Sequence, residues 1–125
     1  MPITSFRDLD AWKLSMNLTE RIYAVTKLFP DDERFGLIAQ LRRSVVGIPS
    51  NVSEGHQHGT RAYHRFVIIA LGCLAECETQ LEIARRLKLA PERQLQPVLG
   101  EITPLRKVLH GLARSLERRL EENAD

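Results

Sequence analysis

The residue types best suited to bind a ligand gather between Arg42 and Arg65. This stretch contains four arginines against one acid, so it carries a net charge of +3, whereas the whole chain carries +2. It also holds three of the four histidines. Arginine is a planar cation with several donors that suits phosphate groups, and the sequence therefore predicts contact with RNA or DNA here. The candidate contact residues are Arg42, Arg61 and Arg65, with His56, His58 and His64 as a pH-sensitive rim.

The same histidines carry the donor atoms of a metal site. His56, His58 and His64 could be combined with Glu54, but zinc requires three or four ligands on a rigid frame. Two of these histidines instead lie in a glycine-flanked turn, and the two cysteines are two or more helical turns from His64. The sequence therefore predicts no metal and no cofactor, and it predicts that the cysteines are free, buried thiols.

No catalytic motif is found in the sequence. The nucleophile elbow, the Cys-His-Asn pattern, the phosphate loop and the dinucleotide fingerprint are all missing. Small helical ribonucleases of the HEPN type carry an arginine and a histidine with four to six residues between them. The nearest pair in this chain, Arg106 and His110, has only three residues between its members. We therefore expect a protein that is not an enzyme, with a small helical ribonuclease as the weaker alternative.

A second group of polar residues lies among apolar positions further along the chain. A core holds charged groups only when they are paired. If Arg43 or Arg42 faces Glu54 or Glu76, the ion pair satisfies both charges. No nucleophile or acid–base partner adjoins these residues, which favours a structural role over catalysis. The predicted structural polar lock consists of Gln40, Arg43, Asn51, Glu54 and Glu76.

Helices must position these residues, because four long segments repeat their apolar positions every three or four residues rather than every two. Short connections make neighbouring helices antiparallel. The pattern predicts an all-α, up-down-up-down four-helix bundle that forms a single domain over residues 1–125. Kinks are expected at Pro49 and in the fourth helix, which contains Pro97 and Pro104. The expected helices cover about residues 6–28, 32–54, 60–89 and 91–120.

Length and composition agree with one small globular domain. The chain has 125 residues, of which 43% are hydrophobic and 27% charged, and this size suffices for one core without disulfides. The longest uncharged stretches have ten residues, whereas a membrane span needs about 20, so no membrane contact is expected. With two cysteines and no apolar leader in the first turns, we expect a cytoplasmic protein.

The first helix carries apolar side chains on two faces. Trp12 and Met16 lie on one stripe, while Leu14 and Leu18 lie on another. A helix that is apolar on two faces of a small bundle is often packed against a second chain. The sequence predicts self-association through these four residues, although a wide core-facing stripe would produce the same pattern.

Several signatures in this sequence resemble one bacterial family. They extend over almost the whole chain, from the FRDLDAW run at residues 6–12 to the leucine-rich fourth helix. The most specific signature is the run from Gln-x-Arg-Arg-Ser to Asn-x-x-Glu-Gly at residues 40–55. On these residues the chain resembles the bacterial four-helix-bundle family that includes proteins encoded in the intervening sequences of 23S ribosomal RNA genes. Further signatures are residues 23–30, Phe35-Gly-Leu37, Gly72 and Glu76.

The resemblance implies a fold and an assembly rather than a reaction. The family is similar in fold to the accessory protein of diversity-generating retroelements, which engages a reverse transcriptase and nucleic acid and forms a ring of five chains. What it implies here is a homopentamer without known enzymatic activity. The expected function is a noncatalytic scaffold that contacts RNA, DNA or a protein that handles them. The alternative is a protein–protein adaptor that binds no nucleic acid.

Overall fold

The computed structural model describes residues 5–123, and all of the regular structure within them is helical. The prediction of an all-α fold is confirmed. Single 3-10 turns at Phe6–Asp8 and Asp31–Glu33 precede the first two helices. The α-helices are α1 (Asp10–Thr26), α2 (Leu37–His56), α3 (Thr60–Arg86), α4 (Glu92–Leu99) and α5 (Ile102–Glu122).

The first two helices begin later than the sequence predicts, because a short 3-10 turn precedes each of them. The Ser5 hydroxyl accepts a hydrogen bond from the Arg7 amide at 3.2 Å and caps the 3-10 turn rather than α1. A Glu33 carboxylate oxygen accepts from the Leu37 amide at 3.0 Å. This carboxylate satisfies a free N–H group at the positive end of α2 and so fixes where that helix starts.

The end of α3 is set by backbone hydrogen bonds around Lys88. This residue has a φ of +56°, in the left-handed region, although it is not a glycine. The Leu89 amide donates to the Ala84 carbonyl at 3.0 Å, and the Lys88 amide donates to the Arg85 carbonyl at 3.1 Å. These two bonds form a Schellman motif, which satisfies the last carbonyls of the helix and turns the chain toward α4.

The predicted fourth helix is broken rather than kinked, which corrects the sequence prediction. Proline has no N–H, so Pro104 cannot donate to the Gly100 carbonyl four residues earlier. Gly100 and Glu101 form a turn between α4 and α5. Pro97 lies inside the short α4, while Pro104 falls in the first turn of α5, where the N–H groups have no partner within the helix. By contrast, α2 is continuous through Pro49.

One apolar core runs through the bundle. In α1 it contains Leu18 and Ile22, which have no exposed surface. Burial of each such side chain contributes about 1.5–3 kcal/mol relative to an exposed position. The position of Leu18 contradicts the prediction that it belongs to an interface between chains. The other large side chains of the core are Leu41, Val45, Ile48, Leu74, Leu81, Leu95, Ile102, Leu105, Leu109 and Leu116.

Glycines allow α2 to approach α3 closely. A Cβ atom at Gly55 would lie 2.8 Å from Phe66 Cβ and 2.9 Å from Tyr63 Cδ1. A Cβ atom at Gly47 would lie 2.8 Å from Cys73 Sγ. Both helices are therefore in near-backbone contact at these points, and the order of the contacts shows that they run in opposite directions. None of the helices within residues 5–123 is long and apolar enough to cross a bilayer.

Candidate functional site

Residues 56–66 form the α2–α3 corner, where a histidine stacks on a phenylalanine. The rings of His58 and Phe66 have centroids 5.5 Å apart and are inclined by 14°. His58 Nε2 lies 3.1 Å from Glu54 Oε1, and the side chain of His58 remains 46% exposed. The close approach at Gly55 brings Phe66 within reach of this histidine. Phe66 is only partly buried.

His56 is turned toward the interior of the same corner. Its ring meets that of Tyr63 edge to face, with centroids 5.8 Å apart. The His56 Nδ1 atom and the Tyr63 hydroxyl are both buried without a hydrogen-bond partner among residues 5–123. Burial raises the pKa of Tyr63, an effect partly opposed by the positive charge of Arg119. The hydroxyl therefore stays neutral at ordinary pH, and the pair forms an inner wall rather than part of the exposed rim.

His64 connects the corner to the last helix. Its Nε2 atom lies 3.3 Å from Glu117 Oε1 on α5, and the ring is mostly buried. Glu54 and Glu117 therefore each contact a histidine of the corner. Neither acid forms an ion pair with an arginine within the described part of the chain.

Arg61 and Arg65 are the free cations of the corner. Both are exposed, and neither forms an ion pair with any residue from 5 to 123. They are four residues apart on α3, so their side chains are neighbours on one helix face. Such a pair presents several N–H donors to a phosphate group or another anion.

Arg42 does not join this corner, which corrects the sequence prediction. Its Nε donates to the Thr26 hydroxyl at 3.0 Å, and its guanidinium lies 4.5 Å from the centre of the Tyr23 ring. Arg42 thus holds α2 against the end of α1. It lies fourteen residues before the end of α2, a distance of about 21 Å along the helix. Arg42 is close to the corner in sequence but distant from it in the structure.

The predicted polar lock does not form within the chain. Arg43, Glu54 and Glu76 are exposed, and no arginine contacts either acid among residues 5–123. The Asn51 side chain donates to the Gly47 carbonyl at 2.6 Å within its own helix. Gln40 is exposed as well. These polar residues follow the solvent side of α2 and α3, because the apolar residues between them turn toward the core.

An apolar surface that the sequence reasoning missed lies on α3. Ile68, Ile69 and Ile83 are exposed by 41–47%. The 3.6-residue period could have revealed this face, because these isoleucines fall opposite the buried Val67, Ala70 and Leu74. We call it the outer face of α3, and it comprises Ile68, Ile69, Gly72, Ala75, Thr79 and Ile83, all exposed.

The interface residues predicted on α1 are less exposed than the isoleucines on the outer face of α3. Trp12 and Leu14 are partly buried and pack against the core, and Met16 is also partly buried. Their part in an interface stays a prediction. Leu18 is excluded from that role by its complete burial.

The arginine of the pair considered for a ribonuclease is engaged by another residue. Arg106 forms an ion pair with Glu78 on α3, while His110 is exposed. A groove of about 560 Å³ at the break between α4 and α5 is lined in part by Arg21 and Glu101, which bind each other. Neither place combines a nucleophile with an acid–base partner.

The cysteines are protected thiols on the inner side of α3. Burial raises the pKa of Cys77 to about 12, with smaller contributions from Cys73 and Glu76. Burial also raises the pKa of the partly buried Cys73. Because the thiolate is the nucleophile and the metal ligand, raised pKa values make both thiols weaker nucleophiles and ligands than an exposed cysteine. Within residues 5–123, no three His, Cys, Asp or Glu side chains come together as a metal site would require.

The fold and the site define a small helical-bundle protein in which the described residues assemble no catalytic group. The sequence profile of the family described as 23S rRNA-intervening sequence protein matches residues 7–111. The chain belongs to this family, as its sequence signatures indicated. The match indicates no family of enzymes.

A similar fold is found among solved structures. One of these structures is that of a protein of unknown function from the S23 ribosomal protein family of Bacteroides thetaiotaomicron, with a TM-score of 0.75 and 23% sequence identity. The match covers 82% of this chain and 97% of that one. At this identity the likeness shows the fold alone. No curated protein matches the chain.

Proposed function

We propose that this protein is a noncatalytic cytoplasmic scaffold that assembles with copies of itself into a ring of five chains. The outer face of α3 carries this proposal, because three of its isoleucines are exposed to water. Apolar surface is favourably removed from water, by about 25 cal/mol for each Å² that is buried. A group of exposed isoleucines on one helix face is typical of an interaction surface.

Charges beside the outer face favour a copy of the same chain as its partner. Arg43 and Glu76 are exposed, opposite in charge and without an ion pair in the described chain. Glu76 lines one groove together with Gln40 of α2 and Ile83 of the outer face. In the assembly we propose, Arg43 of one subunit faces Glu76 of the next, which fixes the register of the two chains. In this assembly Arg43 and Glu76, which the sequence predicts to pair within one chain, instead form ion pairs between neighbouring chains.

Within each subunit of the ring, the helices follow one another up-down-up-down. Contacts between α3 and α5 support this order, because Glu78 pairs with Arg106 near the middle while His64 pairs with Glu117 near one end. The close approach of α2 to α3 at Gly55 supports it as well. In this arrangement α4 and α5 together form the fourth arm of the bundle.

The scaffold further contacts RNA or DNA through the α2–α3 corner. The exposed and unpaired Arg61 and Arg65 support this part of the proposal, and His58 is exposed at the same corner. A ring repeats the corner once in every subunit. Several linked sites bind one long strand far more tightly than a single site does, so a modest basic surface suffices.

The mass of the free protein tests the ring. Five copies of the 14.3-kDa chain have a mass of about 72 kDa. Size-exclusion chromatography with light scattering is expected to show one species near that mass at micromolar concentration. A monomer under these conditions would contradict the scaffold.

Salt dependence tests the contact with nucleic acid. Binding that neutralises phosphates weakens steeply as salt rises from about 50 to about 200 mM, because bound counterions are released. We expect such a loss of affinity for labelled RNA or DNA, and we expect Arg61→Gln/Arg65→Gln to weaken binding at low salt. The contact would be refuted by equal affinity of this variant and the wild type.

An adaptor that binds protein but no nucleic acid is the second candidate, and one exposed aromatic residue favours it. Phe35 lies between α1 and α2 and is 90% exposed, with the Arg34 guanidinium 5.6 Å from the centre of its ring. Aromatic and arginine side chains are enriched at protein interfaces. The same titration separates the candidates, because the adaptor predicts no binding of RNA or DNA even at low salt.

A further inference from the structure

The His58–Phe66 stack distinguishes the α2–α3 corner from an ordinary basic surface. The two rings are nearly parallel, with an inclination of 14° and a centroid separation of 5.5 Å. His58 is 46% exposed, so its ring is partly open to solvent although Phe66 covers one face. Gly55 permits this arrangement, because any side chain there would collide with Phe66 and Tyr63. The corner therefore presents a flat, supported ring to a planar ligand.

Positive charge next to the stack is not neutralised within the described chain. Arg65 directly precedes Phe66, and Arg61 lies one turn earlier on α3; both are exposed and unpaired. Glu54 and Glu117, the acids that contact the corner histidines His58 and His64, form no ion pair with either arginine. A ligand that combines a planar ring with neighbouring negative charges fits both features at once.

We infer that the α2–α3 corner binds single-stranded rather than double-stranded nucleic acid, an inference that rests on the proposed contact with RNA or DNA. An unpaired base stacks on the free face of His58, while backbone phosphates lie against Arg61 and Arg65. Aromatic rings stack on bases without regard to sequence, because every base has a π face. In a duplex those faces are covered by neighbouring base pairs, so the platform stabilises single strands selectively.

An acidic protein segment is the main competitor for the same arginines. Carboxylates bind guanidinium groups as phosphates do. An acidic peptide gains nothing from a flat ring, however, so only a nucleic acid makes binding depend on His58 and Phe66. Removal of the stack therefore separates the two ligand classes.

The test is a fluorescence anisotropy titration with a labelled 20-nucleotide oligo(U), oligo(dT) and a 20-base-pair duplex. The variant His58→Ala/Phe66→Leu removes the stack but keeps an apolar side chain at the half-buried position 66. We expect it to weaken binding of the single strands about tenfold, since loss of one base–aromatic stack has roughly this effect. Duplex binding is expected to change little.

Two further variants, each lacking two arginines, show how much of the affinity depends on positive charge at the corner. Arg61→Gln/Arg65→Gln removes two phosphate contacts, which lowers the slope of log affinity against log salt by about 1.4 for single strands. Arg86→Gln/Arg93→Gln is the matched control, because these exposed arginines lie at the opposite end of α3 and beyond it, on α4. We expect the control variant to bind single strands like the wild type.

The outcomes separate this inference from the proposal on which it rests. Equal affinity for single strand and duplex, with no effect of the stack variant, would overturn the inference and leave the phosphate contact standing if Arg61→Gln/Arg65→Gln still weakens binding. Failure of all three probes to bind at low salt would overturn both. Displacement of the oligonucleotide by polyglutamate without any effect of the stack variant would favour an acidic protein. Should the double variant not fold, His58→Ala alone serves, because its side chain is exposed.

Discussion

The helices α1 and α3 both carry broad apolar surfaces, but the chain covers only one of them. On α1, Leu18 and Ile22 lie fully in the core, and Trp12 is partly buried against it. On α3, the isoleucines Ile69 and Ile83 point away from the core and remain exposed. The sequence suggested the opposite, with α1 as the surface that meets another chain.

The difference shows that an apolar pattern does not reveal which neighbour covers it. α1 and α3 each contact α2, α4 and α5, but Ile68, Ile69 and Ile83 of α3 remain exposed outside these contacts. The outer face of α3 is therefore the surface that we propose for contact with another chain. Three experiments test this contrast inside a subunit, and a fourth tests it between subunits.

The largest expected effect comes from Leu18→Ala. Loss of a fully buried leucine side chain lowers the free energy of unfolding by about 2–5 kcal/mol. The matched change Ile68→Ala on the outer face is expected to stay within about 0.5 kcal/mol in separated subunits. Urea unfolding at protein concentrations below assembly measures both values. Similar losses for the two variants would contradict the contrast between α1 and α3.

A smaller effect is expected from a single methyl group at Gly55. Its Cβ would lie 2.8 Å from that of Phe66, so Gly55→Ala forces α2 and α3 apart. Overpacking of this kind costs about 1–3 kcal/mol.

The matched control is Gly72→Ala on the outer face, where a Cβ meets no atom within 4 Å. Alanine is the better helix former, so this change raises the stability of a separated subunit by up to about 1 kcal/mol. Destabilisation of the separated subunit by Gly72→Ala would show that the outer face is already covered within the chain.

The inner side of α3 makes the stability of the fold depend on pH through Cys77. Burial raises the pKa of this thiol from 9.0 to about 12, so the unfolded chain loses the thiol proton first. The corresponding stability is present below pH 9 and is lost as pH rises toward 12. At pH 10 the loss is about 1 kcal/mol.

Urea unfolding at pH 8 and pH 10 measures this loss, with Cys77→Ala as the control that removes the titrating group. The decrease between the two pH values is expected to be smaller in the variant than in the wild type. An identical decrease would mean that other groups cause it.

The sequence predicted the helices well where local signals agree. Three- and four-residue spacing identified the helical segments, and α3 begins at Thr60 as predicted, immediately after the glycine-flanked turn. The break near Gly100 was not predicted, because a proline inside a helical pattern is compatible with both a kink and a break. Packing around that point decides between them.

The candidate site was only partly predictable for a related reason. Arg61 and Arg65 could be paired in advance, because four residues along a helix bring them to one face. Arg42 belongs to the same sequence stretch but contacts Tyr23 on α1, and only the packing of α1 against α2 determines that. The stacking of His58 on Phe66 likewise depends on how closely α2 and α3 approach at Gly55.

The most direct test of the central claim is sedimentation velocity of Ile69→Lys/Ile83→Lys beside a matched control. The control, Leu28→Lys/Phe35→Lys, also replaces two exposed apolar side chains with lysine but lies outside the outer face of α3. We predict that the wild type and the control sediment as an assembly, whereas Ile69→Lys/Ile83→Lys sediments as a folded monomer of 14.3 kDa. An assembly that survives in Ile69→Lys/Ile83→Lys, or a wild type that is itself a monomer, would contradict the account.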